Sequence, residues 1–135
     1  MQAIPINLWA LVIAAIAKMA IGSLWYSPVA YGGHWMAAAG VSPAQMKAAM
    51  PKAMLADLAG SLLTAFVLMQ AVYYTEAGSV VLGAEVGFLC WLGFIAGPTL
   101  AAVLYEGRPL RLFLINNGFL LLSLMVMGAI IGAWH

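Results

Sequence analysis

The stretch AAIAKMAIGSLWYSP, residues 14–28, places one ammonium group, that of Lys18, in an otherwise apolar run. Three further polar side chains interrupt apolar runs in the same way: Asp57, and the adjacent pair Asn116 and Asn117. Inside hydrocarbon such groups need partners, because an unpaired charge at mid-helix costs about 2.5–3.5 kcal/mol even on insertion scales. An ammonium, a carboxylate and two amides can form ion pairs and hydrogen bonds, or line a path for a solute or ion. Nucleophilic and metal chemistry are poorly supplied. The chain has no GxSxG, HExxH, CxxC or phosphate-binding glycine loop. Cys90 is the single cysteine, which excludes an intrachain disulfide and a multi-cysteine metal site. No metal and no cofactor are expected. The Trp25-Tyr26 pair reads as an interfacial anchor rather than a ligand cage, and Met125 and Met127 as packing or lipid-facing residues rather than copper ligands.

The elements that position these groups follow from composition. Of 135 residues, 66% are apolar and only 7% are charged, whereas soluble domains carry about a quarter charged residues. Such a chain cannot cover a water-facing surface, and its length suits one small domain. A net charge of +1 offers no footprint for nucleic acid. Four apolar stretches reach the roughly 20 residues that a spanning helix needs: about 6–27, 53–74, 80–104 and 112–134. The expected fold is therefore all-α, a single bundle of four transmembrane helices occupying 1–135. No Lys or Arg precedes the first apolar run, so it reads as a retained span rather than a signal peptide. Breakers stand between the spans: Pro28 and Gly32-Gly33, Pro51, Ala77-Gly78, and Gly107 with Pro109. Within the longest connection, Ser42, Pro43 and Gln45 form a capped helix start, and Met46, Ala49 and Met50 share one face. This predicts a short interfacial helix over about 42–50.

Lys47 and Lys52 lie in the first connection and Arg108 and Arg111 in the third, while the second connection and the termini carry no Lys or Arg. The positive-inside rule then places connections one and three in the cytoplasm and both termini outside, most simply in a bacterial inner membrane. Trp9, Tyr73, Tyr74 and Trp134 would mark the outer boundary, and Trp25, Tyr26, Trp35 and Tyr105 the inner one. His34 and His135 fall on opposite sides and cannot share a metal within one subunit.

At about 1.5 Å per helical residue, Lys18 lies a little past the midplane, and its stem can reach toward the level of Asp57, Asn116 and Asn117. The first helix shows Ala14, Lys18, Gly22 and Trp25 on one face; the second shows Asp57, Gly60, Ser61 and Thr64. Both faces are small and polar and should look into the bundle. The expectation is that Asp57 holds Lys18, with an asparagine of the fourth helix as a further partner. The competing reading has Lys18 snorkelling to headgroups and Asp57 pairing with Lys52. A second, outer polar layer comprises Asn7, Gln70 and Glu85, the last either buried or simply interfacial depending on where its helix begins.

Small residues let helix backbones approach in lipid. GxxxG spacings occur at Gly83/Gly87, Gly93/Gly97 and Gly128/Gly132. Two in the third span suggest that this helix is central or lies at a subunit contact, and a homo-oligomer, a dimer above all, is expected. Pro98 should bend the same helix by removing the bond to the Phe94 carbonyl.

The motifs GSLWYSP (residues 22–28) followed by Tyr31-Gly32 and Trp35, WLGF (91–94), YEGRPLRLFLIN (105–116) and GAIIGAW (128–134) together resemble the small bacterial membrane family catalogued as domain of unknown function 1761. The resemblance covers nearly the whole chain and implies a four-helix integral membrane protein. It implies no activity, substrate or catalytic residue, and Lys18 is not part of the pattern. Two functions are weighed first: a structural or assembly component of the membrane, and a homo-oligomeric transporter or channel for a small solute or ion built around the polar layer. A membrane enzyme is less favoured, since no nucleophile, base or metal constellation is visible.

Overall fold

Each apolar stretch becomes helical, and local polar residues fix where three of the helices start. A computed structural model describes residues 6–27 and 29–134; the expectations for the first five residues, Pro28 and His135 concern positions outside these. Helix α1 spans Leu8–Trp25, α2 Gly32–Ala39, α3 Pro43–Tyr74 and α4 Val80–Trp91. A π-helical turn, Leu92–Ala96, joins α4 to α5 (Gly97–Glu106), and α6 spans Leu110–Ala133. The described residues contain no strand. The Asn7 and Ser79 side chains accept the Ala10 and Leu82 amides and start α1 and α4. Ser42 and Gln45 form a reciprocal capping box at the start of α3. Gly107, at φ +66°, closes α5 in a left-handed conformation that costs other residues strain.

Four segments are long and apolar enough to cross a membrane: Leu8–Trp25, Pro43–Tyr74, Val80–Glu106 and Leu110–Ala133. The α3 helix has 32 residues and so is roughly 48 Å long at 1.5 Å per residue, well beyond a roughly 30 Å hydrocarbon core. Residues 42–50 are thus the cap and first turns of α3 rather than a separate helix. Pro51 lies inside α3 and does not stop it. Its missing N–H frees the Lys47 carbonyl on an exposed turn. The short helix between the first two spans is α2. It opens with Gly32-Gly33, which the sequence reads as breakers, and a Cβ on Gly32 would overlap the Tyr26 carbonyl.

The π turn has a local cause. Pro98 cannot donate to the Phe94 carbonyl, and the Gly97 amide reaches back five residues to the Leu92 carbonyl. The helical ladder changes register there and then resumes as α5.

The core is built around α6, not around the third span. Of the most apolar 18 residues, 44% are buried in α6 against 17% in Val80–Glu106. Leu124, Met127 and Ile131 of α6 meet Ala10 and Ala14 of α1 and Ala65, Leu68 and Val72 of α3 in one cluster. Between α4 and α6 the backbones themselves touch. A Cβ on Gly83 would overlap the Gly128 carbonyl, one on Gly87 the Leu124 carbonyl, and one on Gly132 the Ser79 carbonyl. This is close approach through small residues, the contact that can hold helices together where apolar surface alone does not. Gly93 and Gly97 take no part in it: both are exposed, Gly93 has open space around it, and Gly97 meets only the Leu92 carbonyl at 3.7 Å. Large apolar side chains such as Leu8, Trp9, Phe94 and Leu104 point outward.

Candidate functional site

One side chain of α1 reaches two of α3. Asp57 and Ser61 are four residues apart and therefore share a face. Lys18 Nζ donates to both, to Asp57 Oδ1 at 3.0 Å and to Ser61 Oγ at 3.0 Å. The Phe119 ring of α6 covers the same ammonium, 5.4 Å from its centroid, a cation–π contact. Lys18 is buried, at 7% exposure. Its partner is not: the Asp57 side chain is 48% exposed.

The asparagines take other partners. Asn116 Oδ1 accepts from the Tyr26 hydroxyl at 2.8 Å. Asn117 Nδ2 donates to Thr99 Oγ1 at 2.7 Å, and its backbone carbonyl accepts from Trp91 Nε1 at 2.8 Å. Thr99 in turn donates to the Ile95 carbonyl within the π turn. Adjacent residues on a helix point about 100° apart, so Asn116 faces α1 while Asn117 faces α4 and α5. The third partner of Lys18 is Ser61, already on the polar face of α3; the Asp57/Ser61 spacing was the signal for it.

Trp25 and Tyr26 make contacts within the bundle. Trp25 Nε1 donates to the Ile115 carbonyl at 2.9 Å, and Tyr26 packs edge-on against Trp35 and Phe119. These two residues join the end of α1 to α6. Of the second polar set, Asn7 Nδ2 donates to the Trp134 carbonyl at 3.3 Å. Gln70 is half-buried and Glu85 is exposed on α4; no hydrogen bond links Asn7, Gln70 and Glu85 among the described residues. No group of three His, Cys, Asp or Glu side chains that could hold a metal occurs among the described residues.

Beside the Lys18–Asp57 pair lies a groove of about 980 Å³, bounded by α1, α2, α3 and α6. Met46, Ala49, Met50, Ala53, Met54 and Asp57 face it from α3. These positions recur at three- and four-residue spacing, one continuous stripe of helix. From Pro43 to Gly60 no α3 residue is buried. Opposite stand Met19 and Tyr26 of the first span, Trp35 of α2, and Asn116 and Phe119 of α6. The walls are apolar and rich in adaptable methionine; the polar groups are few and gathered near Asp57. Sequence spacing shows the α3 stripe but not the wall opposite, which comes from three other segments of the chain.

No curated protein and no solved structure matches the chain. The family described as Protein of unknown function (DUF1761) matches residues 9–132, almost the full length. That match spans every element that builds the cluster and the groove, and the chain belongs to this family.

Proposed function

We propose that this is a non-enzymatic component of the membrane that holds a small amphipathic molecule in the groove between α1, α2, α3 and α6. One observation carries the reading: the α3 stripe from Met46 to Asp57 faces the groove and ends on a half-exposed carboxylate. An ion pair serving only to join helices has no need of a carboxylate turned toward a cavity. Here Lys18 is enclosed while Asp57 presents itself to a mostly apolar space. Pockets with apolar walls and a few convergent polar groups are the usual form of a small-molecule site. Compared with a purely structural role or a transport pathway, this reading accounts for the position of Asp57 directly.

Native mass spectrometry of protein extracted from membranes in mild detergent tests this. Wild type is expected to carry a bound small molecule, and Ala53→Trp, which fills the groove from α3, is expected to lose it. Protein without an adduct, or an adduct unaffected by Ala53→Trp, would overturn the proposal. The same spectrum reads oligomeric state. We place the protein as a homodimer, supported by the exposed carboxylate of Glu85 on an apolar helix face, which a subunit contact would cover. A lone monomer across detergents counts against that.

The orientation proposed has both termini outside the cytoplasm, in the inner membrane of a bacterium, with the groove in the inner leaflet. Lys47 and Lys52 on α3, Arg108 between α5 and α6, and Arg111 in the first turn of α6 support it. Cysteines at Ala48 and Gly107 are expected to react with impermeant thiol reagents only after the inner face is opened, and one at Gly78 from outside. The reverse labelling pattern would invert the orientation.

A further inference from the structure

The groups that meet at the polar end of the groove also limit what head group can enter. We infer that the groove takes a neutral amphiphile bearing a hydroxyl group, such as a long-chain alcohol or a monoacylglycerol. This rests on the groove being a ligand site, and it follows from charge balance. Lys18 and Asp57 together are neutral, and the ammonium is enclosed by Asp57, Ser61 and Phe119. Of the five charged residues on the helices that bound the groove, Lys18, Lys47, Lys52, Asp57 and Arg111, only Asp57 lines it.

Three head-group classes can be compared against that arrangement. A carboxylate or phosphate would meet Asp57, a like charge, and no Lys or Arg is among the described residues that line the groove. An ammonium would share Asp57 with Lys18, putting two mutually repelling cations on one carboxylate. A hydroxyl adds no charge. It needs one acceptor and one donor, and the groove supplies both. Asp57 Oδ1 takes Lys18, and Oδ2 has no hydrogen bond among the described residues. Asn116 also lines the groove; its Oδ1 takes the Tyr26 hydroxyl, and its Nδ2 has no hydrogen bond among the described residues. The hydroxyl would donate to Asp57 and accept from Asn116. The chain would lie along Met46, Met50 and Met54, whose unbranched thioethers adapt to an alkyl surface.

Trp35 lines the groove and reports on occupancy. The protein is placed in phosphatidylcholine nanodiscs and titrated with 9,10-dibromostearyl alcohol, the corresponding amine and the corresponding acid, bromine being a short-range quencher of tryptophan. The difference between wild type and Trp35→Phe isolates the groove signal from the other tryptophans. The alcohol is expected to quench saturably and to bind at least ten-fold more tightly than the amine or the acid. In the paired variant Lys18→Met with Asp57→Leu the alcohol should lose that ten-fold advantage. If the amine or the acid binds as tightly as the alcohol in wild type, the head-group assignment fails while the amphiphile reading stands. If no probe quenches saturably although a native adduct disappears in Ala53→Trp, the assignment likewise fails alone. If no probe binds and no adduct exists, both fail and the groove is left to a second copy of the chain. The comparison among probes in wild type decides the question even if the paired variant does not fold.

Discussion

Replacing Asp57 with leucine is expected to destabilise the bundle by about 3–5 kcal/mol, the cost of stranding one member of a buried pair. Replacing Lys18 with methionine should cost much less. The asymmetry comes from exposure. Without Asp57, the enclosed Lys18 ammonium keeps only the Ser61 hydroxyl and the Phe119 ring. Without Lys18, the half-exposed Asp57 carboxylate can be hydrated through the groove, so the loss is nearer that of an exposed pair, about 1 kcal/mol. Methionine also retains the apolar stem that packs between α1 and α3. The double change Lys18→Met with Asp57→Leu should return to within about 1 kcal/mol of wild type, since an apolar replacement for a buried pair is often near neutral. Thermal unfolding in detergent of the two singles and the double gives the coupling directly. Additive, equal and small effects would mean that the two residues act independently, as snorkelling would require, and would remove the pair as an organising feature of the site.

The second large effect is expected at the contact between α4 and α6. A single methyl group is enough, because Gly83→Ala or Gly128→Ala puts a Cβ against a backbone carbonyl of the facing helix. No flexible side chain is there to give way, so the helices themselves must separate. Overpacking of this kind costs about 1–3 kcal/mol and sometimes more, and Gly83→Leu should exceed the alanine change. The internal control is Gly93→Ala. It keeps a GxxxG-spaced partner in sequence, but its Cβ would meet open space, so no loss of stability is expected. Gly128→Ala unfolding at the wild-type temperature, or Gly93→Ala proving as harmful as Gly83→Ala, would contradict the contact. Loss at Gly93 seen only as a shift from dimer to monomer would instead locate a subunit interface there.

Hydropathy by itself determined the class of this protein. A helix must satisfy its backbone within itself to cross hydrocarbon, so four long apolar runs become four candidate spans whatever the tertiary arrangement. The capping box at Ser42 and Gln45 and the left-handed stop at Gly107 are equally local, and the residues alone specify them. The union of Lys18 with Asp57 was also legible, because few other charges lay in the spans and an unpaired one is costly. Three features needed the tertiary structure. The GxxxG pairs look alike in sequence, yet only Gly83/Gly87 and Gly128/Gly132 face each other, because the packing of α4 on α6 decides which small residues meet a neighbour. Asn116 and Asn117 are adjacent and chemically identical, but their roughly 100° offset sends one to Tyr26 and the other to Thr99. The groove was not legible because it belongs to no single segment. Pro51 failed to end α3, leaving one continuous helix whose methionine stripe is opposed by side chains from α1, α2 and α6. Periodicity is a property of one helix, whereas a cavity is a relation among several.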